Sequence, residues 1–149
     1  MAESADMKAR LAALTTTIAT SFAGVSDAAL EGGEIVVHTT RESLAGLLTA
    51  LRDDPRTLCE QLVDLCGVDW PERAERFDVV YNLLSVSLNH RVRVIVTTDE
   101  TIPVPSASLI WPCAAGCCGP KLIIVWESNS TVLVTVGAAS VSGRSLIAP

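Results

Sequence analysis

The sequence predicts an α+β domain, with a mixed or antiparallel sheet and helices on one face. Three observations predict it. Two stretches place apolar residues at helical spacing. Three short runs are rich in β-branched and aromatic residues. The elements follow the order helix, strand, helix, then at least two strands joined by short loops.

Each element has its own signal. Met7, Leu11, Leu14 and Ile18 recur at helical spacing with Ser4 placed to cap them, and Gly24 and then Gly32-Gly33 break the helix. Glu34 to His38 (E-I-V-V-H) reads as a short strand. Thr39 precedes Glu42 by three residues, the spacing of a capping box in which each side chain satisfies the other residue's free amide. Leu44, Leu47, Leu48 and Leu51 then form a stripe that buries four leucines, each worth roughly 1.5–3 kcal/mol. Asp53-Asp54-Pro55 stops that helix, because a residue before proline is pushed out of the helical region.

The stretch 58–68 (L-C-E-Q-L-V-D-L-C-G-V) fits either a short helix or a strand. Trp70 to Glu75 reads as a polar loop. Phe77 to Val86 reads as a strand with both faces partly covered, and Asn89-His90 as a turn. Val92, Val94 and Val96 alternate with Arg91, Arg93 and Ile95, which predicts a half-buried strand with its arginines outward. Asp99 to Pro105 is a proline-marked loop. No internal repeat or low-complexity linker interrupts the chain.

Composition bounds the function classes. A chain of 149 residues fits one domain and needs no disulfides to hold a core. A net charge of −6 disfavours nonspecific attraction to nucleic acid or anionic lipid. Three Trp, one Tyr and two Phe leave little for base-stacking platforms. The N-terminus carries acids and no basic region, unlike secretory or mitochondrial signals, and no run of about 18 apolar residues occurs. The expectation is a soluble chain in a reducing compartment, where five irregularly spaced cysteines make no disulfide framework.

The composition changes sharply at Pro112-Cys113. Residues 1–112 hold nine basic and sixteen acidic side chains, whereas residues 113–149 hold Lys121, Glu127 and Arg144 alone. The tail is instead L-I-I-V-W followed by S-T-V-L-V-T-V-G-A-A-S-V-S-G, low in charge and of strand composition. Two segments follow: an α+β domain over 1–112 and an atypical low-charge tail over 113–149.

Cys113, Cys117 and Cys118 cluster where the tail begins. Zinc wants four N/S ligands, usually as two separated pairs, and no second pair lies downstream. His38 and His90 are far upstream, and Cys59 and Cys66 complete a site only if the fold brings them close. A C-x-x-C redox motif is absent, so cysteines without a task are favoured over a small metal- or redox-binding module. Cys66, in an apolar setting, reads as a small buried hydrophobe rather than a nucleophile, and His90, beside Arg91 at a turn, as a surface histidine. Asp53/Asp54 and Glu72/Glu75 read as solvated charge. The phosphate-binding glycine motifs, G-x-S-x-G and H-E-x-x-H are all missing, so no catalytic, cofactor-binding or metal-ligating residue is assigned.

Four blocks occur in register: E-Q-L-V-D-L-C-G-V-D-W-P (Glu60 to Pro71), E-R-F-D-V-V-Y-N-L-L-S (Glu75 to Ser85), N-H-R-V-R-V (Asn89 to Val94) and V-P-S-x-S-x-I-W-P (Val104 to Pro112). With the leucine helix ending in R-D-D-P, they resemble the C subunit of bacterial NADH-quinone oxidoreductase, the thirty-kilodalton subunit of respiratory complex I, over about Glu34 to Pro112. The resemblance implies a soluble α+β subunit of the peripheral arm on the cytoplasmic side of the inner membrane. It implies a chain that binds no cofactor itself, the NADH, quinone, FMN and iron–sulfur clusters belonging to the complex. It also implies packing against the forty-nine-kilodalton-type subunit. Such a chain supports electron transfer from NADH to quinone, coupled to proton translocation, through its interfaces.

After I-W-P the resemblance stops, and the family's signature positions have nothing to map onto. A reading-frame shift explains this. Taking the third base of each codon with the first two of the next, G-P-K-L-I-I-V-W-E-S from Gly119 can encode A-E-A-Y-H-R-M-G-I, close to the family's own continuation. On this expectation the Cys113, Cys117 and Cys118 cluster marks the point where the frame is lost.

Overall fold

A computed structural model describes residues 2–99, 104, 107, 110, 111, 123–127 and 131–135, with residues 2–4, 123–127 and 131–135 described by backbone alone. The elements are α1 (Ala2–Ser21), β1 (Val25–Glu31), β2 (Glu34–Thr39), α2 (Leu44–Asp53), β3 (Gln61–Asp69), β4 (Phe77–Ser85), β5 (His90–Thr98), β6 (Ile123–Glu127) and β7 (Thr131–Thr135). Five strands form one sheet in the order β1-β2-β5-β4-β3. β2 runs parallel to β5 and the other neighbours are antiparallel, so the expected α+β fold is present with a mixed sheet. β6 and β7 pair as a separate antiparallel hairpin in the low-charge tail.

The first helix starts before Ser4, at Ala2, so Ser4 lies within it rather than capping it. Its threonine-rich stretch has weak intrinsic helix preference. The hydroxyls of Thr15, Thr16, Thr17 and Thr20 each donate to the carbonyl four residues back, at 2.8–3.1 Å, which leaves them satisfied inside the helix. Leu11 and Ile18 enter the core, with Met7 and Leu14 packed against it.

Gly24 does not merely end α1. It turns the chain into β1, a strand the sequence does not announce. Its φ of +85° suits glycine, and a Cβ there would lie 2.4 Å from Ser43 Cβ. Gly32 and Gly33, at φ +58° and +88°, form a two-residue turn into β2 of the kind that needs positive φ twice.

The expected capping box at Thr39 and Glu42 does not form. Thr39 is the last residue of β2 and its Oγ1 donates to the Gly24 carbonyl at 2.6 Å. The helix begins later, with Ser43 at the N-cap position and without a side-chain cap. Leu44, Leu47, Leu48 and Leu51 are all buried, as the stripe predicts. Asp54 is extended ahead of Pro55, which ends α2 at Asp53.

The ambiguous stretch resolves into β3, after Leu58 turns the chain at φ +38° and Cys59 drops into the core. A bulge between Leu62 and Asp64 breaks its alternation. Alternate residues of the paired strands share one face: Val79, Tyr81 and Leu83 of β4, Val92, Val94 and Val96 of β5, and Ile35 and Val37 of β2. These join the α1 and α2 side chains in one core, so both helices cover the same face.

Candidate interaction surface

The same alternation turns a second set of side chains to the other face, which is left uncovered by both helices and by the rest of the described residues. Row by row these are Val68, Asp78 and Thr97; Cys66, Val80, Ile95 and His38; Asp64, Asn82, Arg93 and Val36; and Leu84, Arg91 and Glu34. An antiparallel sheet with a solvated face ordinarily turns polar residues to it. Here Cys66, Val68, Val80, Leu84 and Ile95 are all half-buried on that face.

One end of the face is held by the β3–β4 loop. Trp70 Nε1 donates to Asp78 Oδ2 at 2.8 Å, Arg73 donates to the same oxygen at 3.0 Å, and Thr97 Oγ1 donates to Asp78 Oδ1 at 2.9 Å. The Arg73 guanidinium stacks 4.5 Å above the Trp70 ring. The loop is closed beneath by Trp70 N–H to the Arg76 carbonyl at 2.8 Å and by Arg76 on Asp69 at 2.6 Å. The guanidinium of Arg76 holds the Asp69 carboxyl below its ordinary range. The buried carboxylate of Asp78 thus fixes an indole that remains 44% exposed.

The other end carries a recess of about 220 Å³, opened where the β3 bulge pushes Val63 out. Arg93 pairs with Glu34 across β5 and β2 and reaches Asn82 at 3.4 Å. Arg91 and Asp64 stand on its walls, both exposed and neither in an ion pair among the described residues. Beyond it, Glu60 accepts from Ser87 Oγ at 2.6 Å and from the amides of Val86 and Ser87, which pulls its carboxyl pKa down and fixes the β4–β5 turn.

The sequence-level candidates distribute differently. Cys113, Cys117 and Cys118 lie outside the described residues. Cys59 sits in the core, where burial, reinforced by the nearby Glu60 charge, pushes its thiol up to about 12. Cys66 lies on the opposite side of the sheet and is half-buried rather than buried; burial and then Asp64 raise its pKa. The two cannot share a metal ion. No cluster of three His, Cys, Asp or Glu suited to a metal occurs among the described residues. His38 is exposed on the uncovered face. His90 is not the surface histidine its neighbours suggest: it begins β5 facing the core and is 5% exposed. Asp53, paired with Arg52 at 2.6 Å, and Glu72 and Glu75 are exposed, solvated charges as expected, whereas Asp54, paired with Arg56 at 2.7 Å, is half-buried.

Sequence reasoning did not single out the Trp70, Arg73 and Asp78 cluster or the Arg91 and Asp64 recess. The signal for them was present in β4, whose apolar residues occupy both phases of the strand. No helix among the described residues is long and apolar enough to cross a membrane.

Comparison with known proteins fixes the family. The family model described as respiratory-chain NADH dehydrogenase, 30 Kd subunit, matches residues 37–116, more than half of the chain and all of α2, β3, β4 and β5. The C subunit of NADH-quinone oxidoreductase from Maricaulis maris is 48% identical over 98 residues, covering 62% of this chain and 49% of that protein. That of Rhizobium johnstonii is 56% identical over 80 residues, covering 54% and 40% respectively. That of Caulobacter vibrioides is 50% identical over 91 residues, covering 61% and 46%. This chain spans about half the length of the curated relatives it matches or slightly less. With a mixed sheet packed under α2 and matched through β3, β4 and β5, the chain belongs to the 30 Kd subunit family of the respiratory-chain NADH dehydrogenase.

Proposed function

We propose that this chain acts as a peripheral-arm subunit of NADH-quinone oxidoreductase, without a cofactor of its own. It supports electron transfer from NADH to quinone, and the coupled proton translocation, by holding other subunits in place. The forty-nine-kilodalton-type subunit is its main partner, on the cytoplasmic side of the bacterial inner membrane. The observation that carries this reading is the family match over α2 and the three strands that follow it. The half-buried apolar residues of the uncovered sheet face agree with a scaffold role.

The test is co-expression of the full chain with the other peripheral-arm subunits. Co-purification with them, above all with the forty-nine-kilodalton-type partner, is the expected result. A chain that binds none of them under conditions where a full-length relative does would overturn it.

Residues 113–149 form, on this reading, a segment out of frame with the family. Sequencing the gene through codons 105–149 tests that part separately. An insertion or deletion near the codons for Pro112 to Gly119 is expected, and an uninterrupted frame shared by related strains would exclude it.

A further inference from the structure

The sheet face left uncovered by the described residues combines three properties that a solvated face does not need. It carries half-buried apolar side chains at Cys66, Val68, Val80, Leu84 and Ile95. It is large: strands of nine residues at β3, β4 and β5, with β2 and β1 beside them, span roughly 25 by 30 Å, or about 700 Å² in projection. Stable interfaces bury about 800 Å² per partner, so this face alone is of that order. The third property is the charge in the recess. Arg93 and Glu34 satisfy each other, which leaves a cation on the β5 wall, Arg91, and an anion on the β3 wall, Asp64. Both line a space large enough for partner side chains, and neither has an ion-pair partner among the described residues.

We propose that this face docks an apolar segment of a neighbouring subunit, which brings a carboxylate to Arg91 and a basic side chain to Asp64. The proposal rests on the reading of the chain as a complex subunit and names the surface it uses. The apolar rows supply the buried area. The two recess charges set the orientation, because a segment laid in the reverse sense would place like charges together. The Trp70 loop bounds the face at its far end with an indole already fixed by Asp78, so ordering it on binding costs little.

Cys66 lies within the face and serves as a reporter, whereas Cys59 is silent because it is buried with its thiol pushed up to about 12. The experiment co-expresses the full chain with the other peripheral-arm subunits. It then compares N-ethylmaleimide labelling of Cys66, read by peptide mass spectrometry, in the free and the assembled chain. Labelling about tenfold slower on assembly is expected, and Arg91→Glu and Asp64→Lys should each weaken retention by about tenfold. Both side chains are exposed, so the free variants should unfold at the wild-type temperature, which separates lost docking from lost folding. Assembly with Cys66 labelled as fast as in the free chain, and with both variants retained like wild type, would overturn the proposal while leaving the subunit reading intact. A dimer of this chain that Arg91→Glu dissociates would assign the face to a second copy instead and overturn it as well. Failure of the wild-type chain to bind any of those subunits would defeat the subunit reading, and this inference with it.

Discussion

His90 is 5% exposed, in the strand phase it shares with Val92 and Val94. It follows a turn and precedes an arginine, yet β5 starts with it and points it inward. Its Nε2 has no hydrogen-bond partner among the described residues. Burial first, and then the Arg10 guanidinium of α1, lower its pKa, against the carbonyls of Thr57 and Leu88, which raise it. A histidine with a lowered folded-state pKa binds a proton less readily than the unfolded chain does. Its contribution is fully present above the ordinary value of about 6.5 and is lost as pH falls below it. Thermal unfolding between about pH 7 and pH 5 should therefore show stability declining with acid, and His90→Gln should flatten that decline. Asp78 tests a different kind of burial. Asp78→Ala strands the Trp70 and Thr97 donors and should cost about 2 kcal/mol in denaturant unfolding, while Trp70→Phe, which removes one donor and keeps a ring, should cost about half of that.

At the scale of elements, legibility follows how much each element depends on its own residues. The α2 helix is fully legible because four leucines bury one face and Pro55 dictates the stop. β1 is not legible. V-S-D-A-A-L-E has little β preference, and it is a strand because β2 pairs with it on one side and α1 packs over it. β3 is only half legible because its bulge shifts the phase that separates a strand from a short helix. The strongest clue to β1 was the Gly32-Gly33 pair, which marks a hairpin turn as readily as a helix break. Gly33→Ala should destabilise the chain by about 1 kcal/mol, since an L-residue resists φ +88° although nothing stands in the way of its Cβ. Gly24→Ala should cost more, because the added methyl also collides with Ser43. Paired unfolding curves for the two variants check the order.

For the whole molecule, the class was legible and the strand order was not. Nothing local states that β2 lies beside β5, whose register joins Val37 to Val94. The uncovered face was legible only in part, through the apolar residues at both phases of β4. The charge layout carries a prediction at this scale. Arg52 with Asp53, Arg56 with Asp54 and Arg76 with Asp69 are all pairs between near neighbours in sequence. Pairs of this kind, at the surface, contribute little to stability, so raising NaCl from about 0.05 to 0.5 M should move the unfolding temperature by only about 2 °C. Differential scanning fluorimetry measures it. The parallel pairing also dictates an order of assembly during synthesis. The strand at the centre of the sheet, β5, is the last of the five to be made. β2 is complete at Thr39, yet its second neighbour is not complete until Thr98. At about 5–20 residues per second a nascent chain needs roughly 3 to 12 s to cover that gap. Throughout it, Ile35 and Val37 flank an open edge that a chaperone, or another nascent chain, can reach. A ribosome that stalls before Thr98 releases two flanks of a sheet without the strand that joins them.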